Sequence, residues 1–274
     1  MLGAVIGDIV GSRFEFNNYR AKDFELFHPD CFVTDDSFMT LAVCEALLGV
    51  SDDLGIDWQL LPQLPDLTVQ SMHRIGRAHP DCGFGLSFFN WIFSDNPQPY
   101  GSYGNGSAMR VSGCGWVGAD PAEVESLATA VTKISHNHPE GIKGAVAVAM
   151  AIFLARTGKT QDEIRAYIEA HYYPQIPSLE EIRPNYRFNE TCQGTVPQAI
   201  AAFLEATSFE DTIRNAVSIG GDSDTIAAIA GSIAEPYFGI PESMRSAALA
   251  YLDKEQRSIV ERFEALYGAK VLAS

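Results

Sequence analysis

The chain has 274 residues, 46% of them hydrophobic, enough for one sizeable core in a globular protein. A formal charge of −16 argues against a nucleic-acid backbone or an anionic membrane surface as partner. With 19 basic residues against 35 acidic ones, a phosphate-bearing ligand would have to be held by backbone N–H groups or metal ions. No apolar run approaches the length of a membrane span. The opening Met1-Leu2-Gly3-Ala4-Val5-Ile6-Gly7-Asp8 meets an acid early and lacks a basic leader, so the expected location is cytoplasmic. Cys31, Cys44, Cys82, Cys114 and Cys192 are odd in number and show no CxxC spacing, which predicts reduced thiols and no zinc site.

A helix of small apolar residues is expected from Leu2 to Val10, broken near Gly11-Ser12. Glu15 follows between Phe14 and Phe16 and by itself reads as a solvated loop acid. Thr34-Asp35-Asp36 places a hydroxyl and two carboxylates at the start of a helix that runs through Leu48 and closes at Gly49. Asp52 to Pro65 has no clear period and reads as irregular. Helices are expected over Asp66–Ala78 and Leu86–Phe93, with the aromatic stripe of the second serving as core. Gly101-Ser102-Tyr103-Gly104-Asn105-Gly106 favours neither helix nor strand, and so permissive a backbone can turn N–H groups inward around an anion.

Asp120 and Pro121 open the next helix, which ends at Ser135-His136-Asn137-His138. Of these histidines, His136 is taken as a substrate contact and His138 as structural. Gly144 to Ala155 is a small-residue helix suited to full burial. Thr160 with Glu163 and Ser178 with Glu181 have capping-box spacing. Pro197 is expected to start a helix through Ala206, Ser208 caps another, and Pro241–Leu252 and Lys254–Tyr267 complete the count.

The densest chemistry lies at Gly220-Gly221-Asp222-Ser223-Asp224-Thr225, just before the apolar run Ile226–Ala234. Two Asp within three residues exceed what a helix cap requires. A buried helix behind them would hold the carboxylates at depth, where unpaired charge is costly and meets a cation or a proton. With Thr34-Asp35-Asp36 this makes two similar clusters far apart in sequence. Gathered at one point, such carboxylates would repel by roughly 1–4 kcal/mol per close pair. Divalent hard cations would remove that cost, and oxygen-only ligands select Mg²⁺, Mn²⁺ or Ca²⁺ over Zn²⁺. No strand pattern, repeat or linker stands out. The expected fold is a single all-α domain spanning residues 1–274, with ten or more helices and the functional residues on helix-start loops.

Thr34-Asp35-Asp36-Ser37 with Met39-Thr40-Leu41, Gly104-Asn105-Gly106-Ser107-Ala108-Met109-Arg110, Ser135-His136 and Gly220–Ile226 together resemble the ADP-ribosylglycohydrolase family. The resemblance runs from Gly3 to Gly231, and four motifs in the family's order make it specific. It implies a compact all-α fold and a two-metal centre, with Mg²⁺ or Mn²⁺, that cleaves the glycosidic bond at the anomeric carbon of ADP-ribose. By resemblance, Thr34, Asp35 and Asp36 form one half of the metal site, and Asp222, Asp224 and Thr225 the other. Gly101 to Gly106 is similar to a loop that cradles the diphosphate and distal ribose, and His136 to a phosphate-side contact. Asp36 and Glu15 are the two candidates for the base that takes a proton from the attacking water. The implied substrate is an ADP-ribosylated protein or a small ADP-ribosyl conjugate, of arginine or serine type, and the chain is expected to act as a monomer. Two other readings are a hydrolase of a different nucleotide-sugar conjugate and a non-catalytic, crystallin-like relative.

Overall fold

The computed structural model describes residues 1–53 and 55–268. Among them helices dominate, and the only strands are β1 (Ser51–Asp52) and β2 (Gly55–Ile56), an antiparallel pair that begins one residue before the stretch read as irregular. The helices, in chain order, begin with α1 (Leu2–Ser12), α2 (Asp35–Gly49), α3 (Leu64–Ala78) and α4 (Leu86–Ile92). Two short segments follow the glycine loop, α5 (Gly106–Met109) and α6 (Ser112–Val117), then α7 (Pro121–Lys133) and α8 (Pro139–Arg156). The chain continues through α9 (Gln161–His171), α10 (Leu179–Ile182), α11 (Cys192–Leu204) and α12 (Phe209–Val217). It closes with α13 (Ser223–Phe238), α14 (Glu242–Tyr251) and α15 (Lys254–Tyr267).

Local chemistry explains most of these boundaries. The Thr34 hydroxyl accepts the Asp36 N–H at the start of α2, and Asp120 accepts the Glu123 N–H at the start of α7. Both expected capping boxes form, Thr160 with Glu163 before α9 and Ser178 with Glu181 before α10. One start was misplaced. The helix assigned to Pro197 begins five residues earlier at Cys192, because Thr191 caps it through the Gly194 N–H and Pro197 is carried inside. Of the aromatic stripe, Phe88 and Trp91 are buried, whereas Phe93 lies outside α4 and is exposed.

The core is built around α13, which packs against α1, α8, α11 and α12. Both α1 and the Ser223–Ala234 run of α13 are buried throughout. Their closeness follows from glycines at every fourth position of α1. A Cβ on Gly3 would lie 2.3 Å from the Gly231 carbonyl oxygen, one on Gly7 2.0 Å from that of Ala227, and one on Gly11 2.5 Å from that of Ser223. Bare backbones can approach where side chains would hold the axes apart. As the α1 position rises its α13 partner falls, so the two helices are antiparallel. The C-terminal end of α1, with Glu15 just beyond it, therefore meets the N-terminal end of α13.

Candidate active site

Three chain segments converge on this junction. Asp8, fully buried in α1, anchors the start of α2. One of its carboxylate oxygens accepts the Thr34 hydroxyl at 2.7 Å, and the other accepts the N–H groups of Thr34 and Ser37 at 3.1 Å each together with the Ser37 hydroxyl. The N-terminus of α2 is thereby fixed to α1, and that of α13 is fixed to α1 by the glycine contacts. Thr225 closes the gap, donating its hydroxyl to Asp36 Oδ2 at 3.1 Å. Gly220 and Gly221 carry positive φ in the turn before α13, a conformation that β-carbons disfavour.

The carboxylates meet as a result. Glu15, Asp222 and Asp224 each offer an oxygen within 4.8 Å of the others. Together with Asp35, Asp36 and Thr225 they line a cleft of about 560 Å³. Asp35 stands on its wall against Gly83, where a Cβ would come within 2.9 Å of the carboxylate. Thr34 is buried, with its hydroxyl turned to Asp8.

Every one of these acids has a raised pKa, and burial is the first cause each time. Asp8 is pushed up to about 6 and Asp222 to about 7. Glu15 rises to about 8, with Asp224 and Asp8 adding repulsion. Asp35, Asp36 and Asp224 are all held well above the usual carboxylate range by burial and then by neighbouring carboxylates. Among the described residues no Lys, Arg or His side chain forms an ion pair with any of them. Asp36 Oδ1 and Asp224 Oδ1 are buried with no hydrogen-bond partner at all. Unsatisfied buried carboxylate oxygens that repel one another suit a hard divalent cation.

Most of the glycine loop lines the same cleft. Ser102, Tyr103, Gly104, Asn105 and Gly106 line the cleft, whereas Gly101 does not and gives its N–H to Asn137 Oδ1 at 2.7 Å. The Gly104 N–H goes to the Ser102 hydroxyl and the Asn105 N–H to the Glu190 carbonyl. Gly104 also bridges Thr191, which ties the loop to the segment entering α11. Positive φ within the loop is confined to Gly101. Gly104 and Gly106 lie beside His136: a Cβ there would stand in ordinary contact, 3.5 and 3.6 Å from its Nε2. His136 lines the cleft, and His138 caps α8 by accepting the Glu140 N–H.

The chain matches the model of the ADP-ribosylglycohydrolase family over residues 1–270. It belongs to that family. Human ADP-ribosylhydrolase ARH3 is 25% identical to it, over 92% of this chain and 88% of that protein. The ADP-ribosyl-[dinitrogen reductase] glycohydrolase of Rhodospirillum rubrum is also 25% identical, over 97% and 93%. A solved structure titled ADP-ribosylglycohydrolase-related protein complex superposes with a TM-score of 0.70 at 21% identity, covering 98% of this chain and 95% of that one, which is a likeness of fold. As a family member the chain is a glycohydrolase, and its all-α architecture is the family's. No helix among the described residues is long and apolar enough to cross a membrane.

Residue-by-residue reading missed two features of the site. Asp8 registered only as an early acid, although a lone carboxylate inside an otherwise apolar helix is itself a signal that something buried must satisfy it. Asn105 was read only as part of a ligand-binding loop. Its amide donates to Asp222 Oδ2 at 2.6 Å and Thr195 Oγ1 at 3.0 Å, so it orients a carboxylate of the acidic cluster.

Proposed function

We propose that this enzyme cleaves the glycosidic bond between C1 of ADP-ribose and an acceptor of arginine or serine type, at a centre of two divalent cations, Mg²⁺ or Mn²⁺. The observation that carries this reading is the convergence of Glu15, Asp222 and Asp224 within 4.8 Å, beside Asp36 with its unpartnered buried oxygen. Thr34, Asp35 and Asp36 would supply one half of the ligand set, and Asp222, Asp224 and Thr225 the other. The names of the curated relatives, both hydrolases of ADP-ribosyl groups, support the substrate class.

Bound cations would orient the ribose 2′- and 3′-hydroxyls and lower the pKa of a water molecule. Of the two candidate bases, Glu15 is the better placed. It is less buried than Asp36, whose Oδ2 is engaged by Thr225, and its proton affinity is raised by burial and by Asp224. Glu15 takes the proton of the attacking water as the bond from C1 to the acceptor nitrogen or oxygen breaks. The acidic surroundings favour the positive charge that develops at C1 in that step. In the same cleft, the loop residues Ser102 to Gly106 and His136 hold the diphosphate and distal ribose, and Gly101, which the sequence reading included, stands outside the lining.

Incubation with ADP-ribosyl-arginine, ADP-ribosyl-serine and free nucleotide sugars, read by mass spectrometry, tests the proposal. Release of ADP-ribose from either conjugate, dependent on Mg²⁺ or Mn²⁺, is the expected result. Turnover of nucleotide sugars alone would replace the substrate, and no turnover of any compound would leave a non-catalytic relative.

A further inference from the structure

The lining of the same cleft includes a cation, Arg110, that forms no ion pair with the acidic cluster. Arg110, next after α5, is fully buried, and its guanidinium carbon sits 5.3 Å from the centre of the Phe88 ring. Its Nη2 donates to Ser135 Oγ at 2.9 Å, while Nε and Nη1 have no partner. Ser135 Oγ in turn lies 2.9 Å from Nδ1 of His136. Ser135 is fully buried and His136 is 4% exposed.

The direction of the chain follows from its first member. A guanidinium has donors only, so Ser135 Oγ must accept from Arg110. The serine hydrogen is then free to point at the neighbouring ring nitrogen, an arrangement in which Nδ1 of His136 accepts. In a neutral imidazole the other nitrogen then carries the proton. That atom, Nε2, faces the cleft beside Gly104 and Gly106. We propose that Arg110 and Ser135 are positioning residues that hold His136 in its Nε2–H form, so that it donates one fixed hydrogen bond to an acceptor oxygen of the substrate's diphosphate.

Burial and the Arg110 charge both lower the His136 pKa well below its usual value, which agrees with a neutral ring. The arrangement also meets a difficulty set by the charge of −16. An imidazolium in the cleft would be drawn towards the carboxylates, whereas a neutral N–H donor backed by a buried guanidinium offers directed positive potential beside the loop. The identity of the acceptor as a diphosphate rests on the function proposed above, but the hydrogen-bond relay does not.

The experiment is a two-bond ¹H–¹⁵N spectrum of the full chain labelled at its six histidines, with the His136 signals identified by their loss in His136→Asn. At pH 7 the wild-type protein should show His136 with a bare Nδ1 and a protonated Nε2. A protonated Nδ1, or an imidazolium, would overturn the relay without any variant having to fold. Ser135→Ala should then mix the two neutral forms and weaken binding of free ADP-ribose by roughly tenfold, raising KM with kcat little changed. An unaltered tautomer and affinity in that variant would also overturn it. A wild-type protein with the expected tautomer but no affinity for ADP-ribose supports the relay and refutes the substrate assignment instead.

Discussion

Gly7 of α1 rests directly on the backbone of Ala227 in α13, so close that a Cβ at position 7 would fall 2.0 Å from the Ala227 carbonyl oxygen. The same relation holds one turn away on either side, at Gly3 and Gly11. Because Asp8 follows Gly7 and Asp224 lies three residues before Ala227, this contact sets the separation between the anchor of α2 and the acidic start of α13. Helix packing and site geometry are one constraint here.

Gly7→Ala should therefore damage both. A methyl group forced between two buried backbones costs about 1–3 kcal/mol or more, since no flexible side chain can yield. Gly49→Ala is the matched control, because its Cβ meets only the end of the Leu67 side chain at 3.2 Å and a helical Ala is preferred to Gly. Thermal melts should show a clear drop for the first and little change for the second, each 1 kcal/mol moving Tm by roughly 2–4 °C. A Gly7→Ala protein that melts with the wild type would contradict the contact.

The raised acids make a second expectation, with an unusual sign. Asp8 at about 6, Asp222 at about 7 and Glu15 at about 8 hold protons in the folded state that the unfolded chain releases near pH 4. Between those values the native state binds more protons, so stability falls as pH rises. Through these groups the metal-free protein should lose Tm progressively from pH 5 to pH 8.5. One excess bound proton costs about 1.4 kcal/mol per pH unit. Mg²⁺ or Mn²⁺ added at pH 8 should restore Tm, by about 2.7 kcal/mol at a hundred times the dissociation constant. A chelated sample whose melting temperature climbs from pH 5 to pH 8.5, or one indifferent to both ions, would refute the site as drawn.

How much of this was legible follows from the range of each interaction. The capping boxes at Thr160 and Ser178, and the acidic helix starts at Asp35 and Asp222, are decided within a few residues and could be read directly. The start of α11 could not, because a rule that places Pro at a first turn competes with the Thr191 cap, and only the fold shows the cap winning. Asp8 finds its partners 26 and 29 residues ahead, at Thr34 and Ser37, beyond any local pattern. The glycine loop was recognisable from composition, but its neighbour His136 lies 30 or more positions away, and of its three glycines only Gly101 adopts positive φ.

The same substitution at two aspartates should move stability in opposite directions. Asp8 accepts hydrogen bonds from two N–H groups and two hydroxyls, so Asp8→Asn turns an amide donor towards donors in a fully buried site. Leaving such groups unsatisfied costs about 1–3 kcal/mol, and Thr34 loses the anchor that fixes the start of α2. Asp224 has a buried oxygen with no partner and is held among like charges. Asp224→Asn removes that repulsion, so the metal-free variant should melt at or above the wild type. It should also lose the Tm rise on adding Mn²⁺, together with turnover, if Asp224 is the ion ligand proposed above. Paired melts with and without Mn²⁺ read all of this at once. Should Asp8→Asn prove neutral, or Asp224→Asn keep a full Mn²⁺ shift and wild-type turnover, the division between an anchoring and an ion-binding carboxylate would fall.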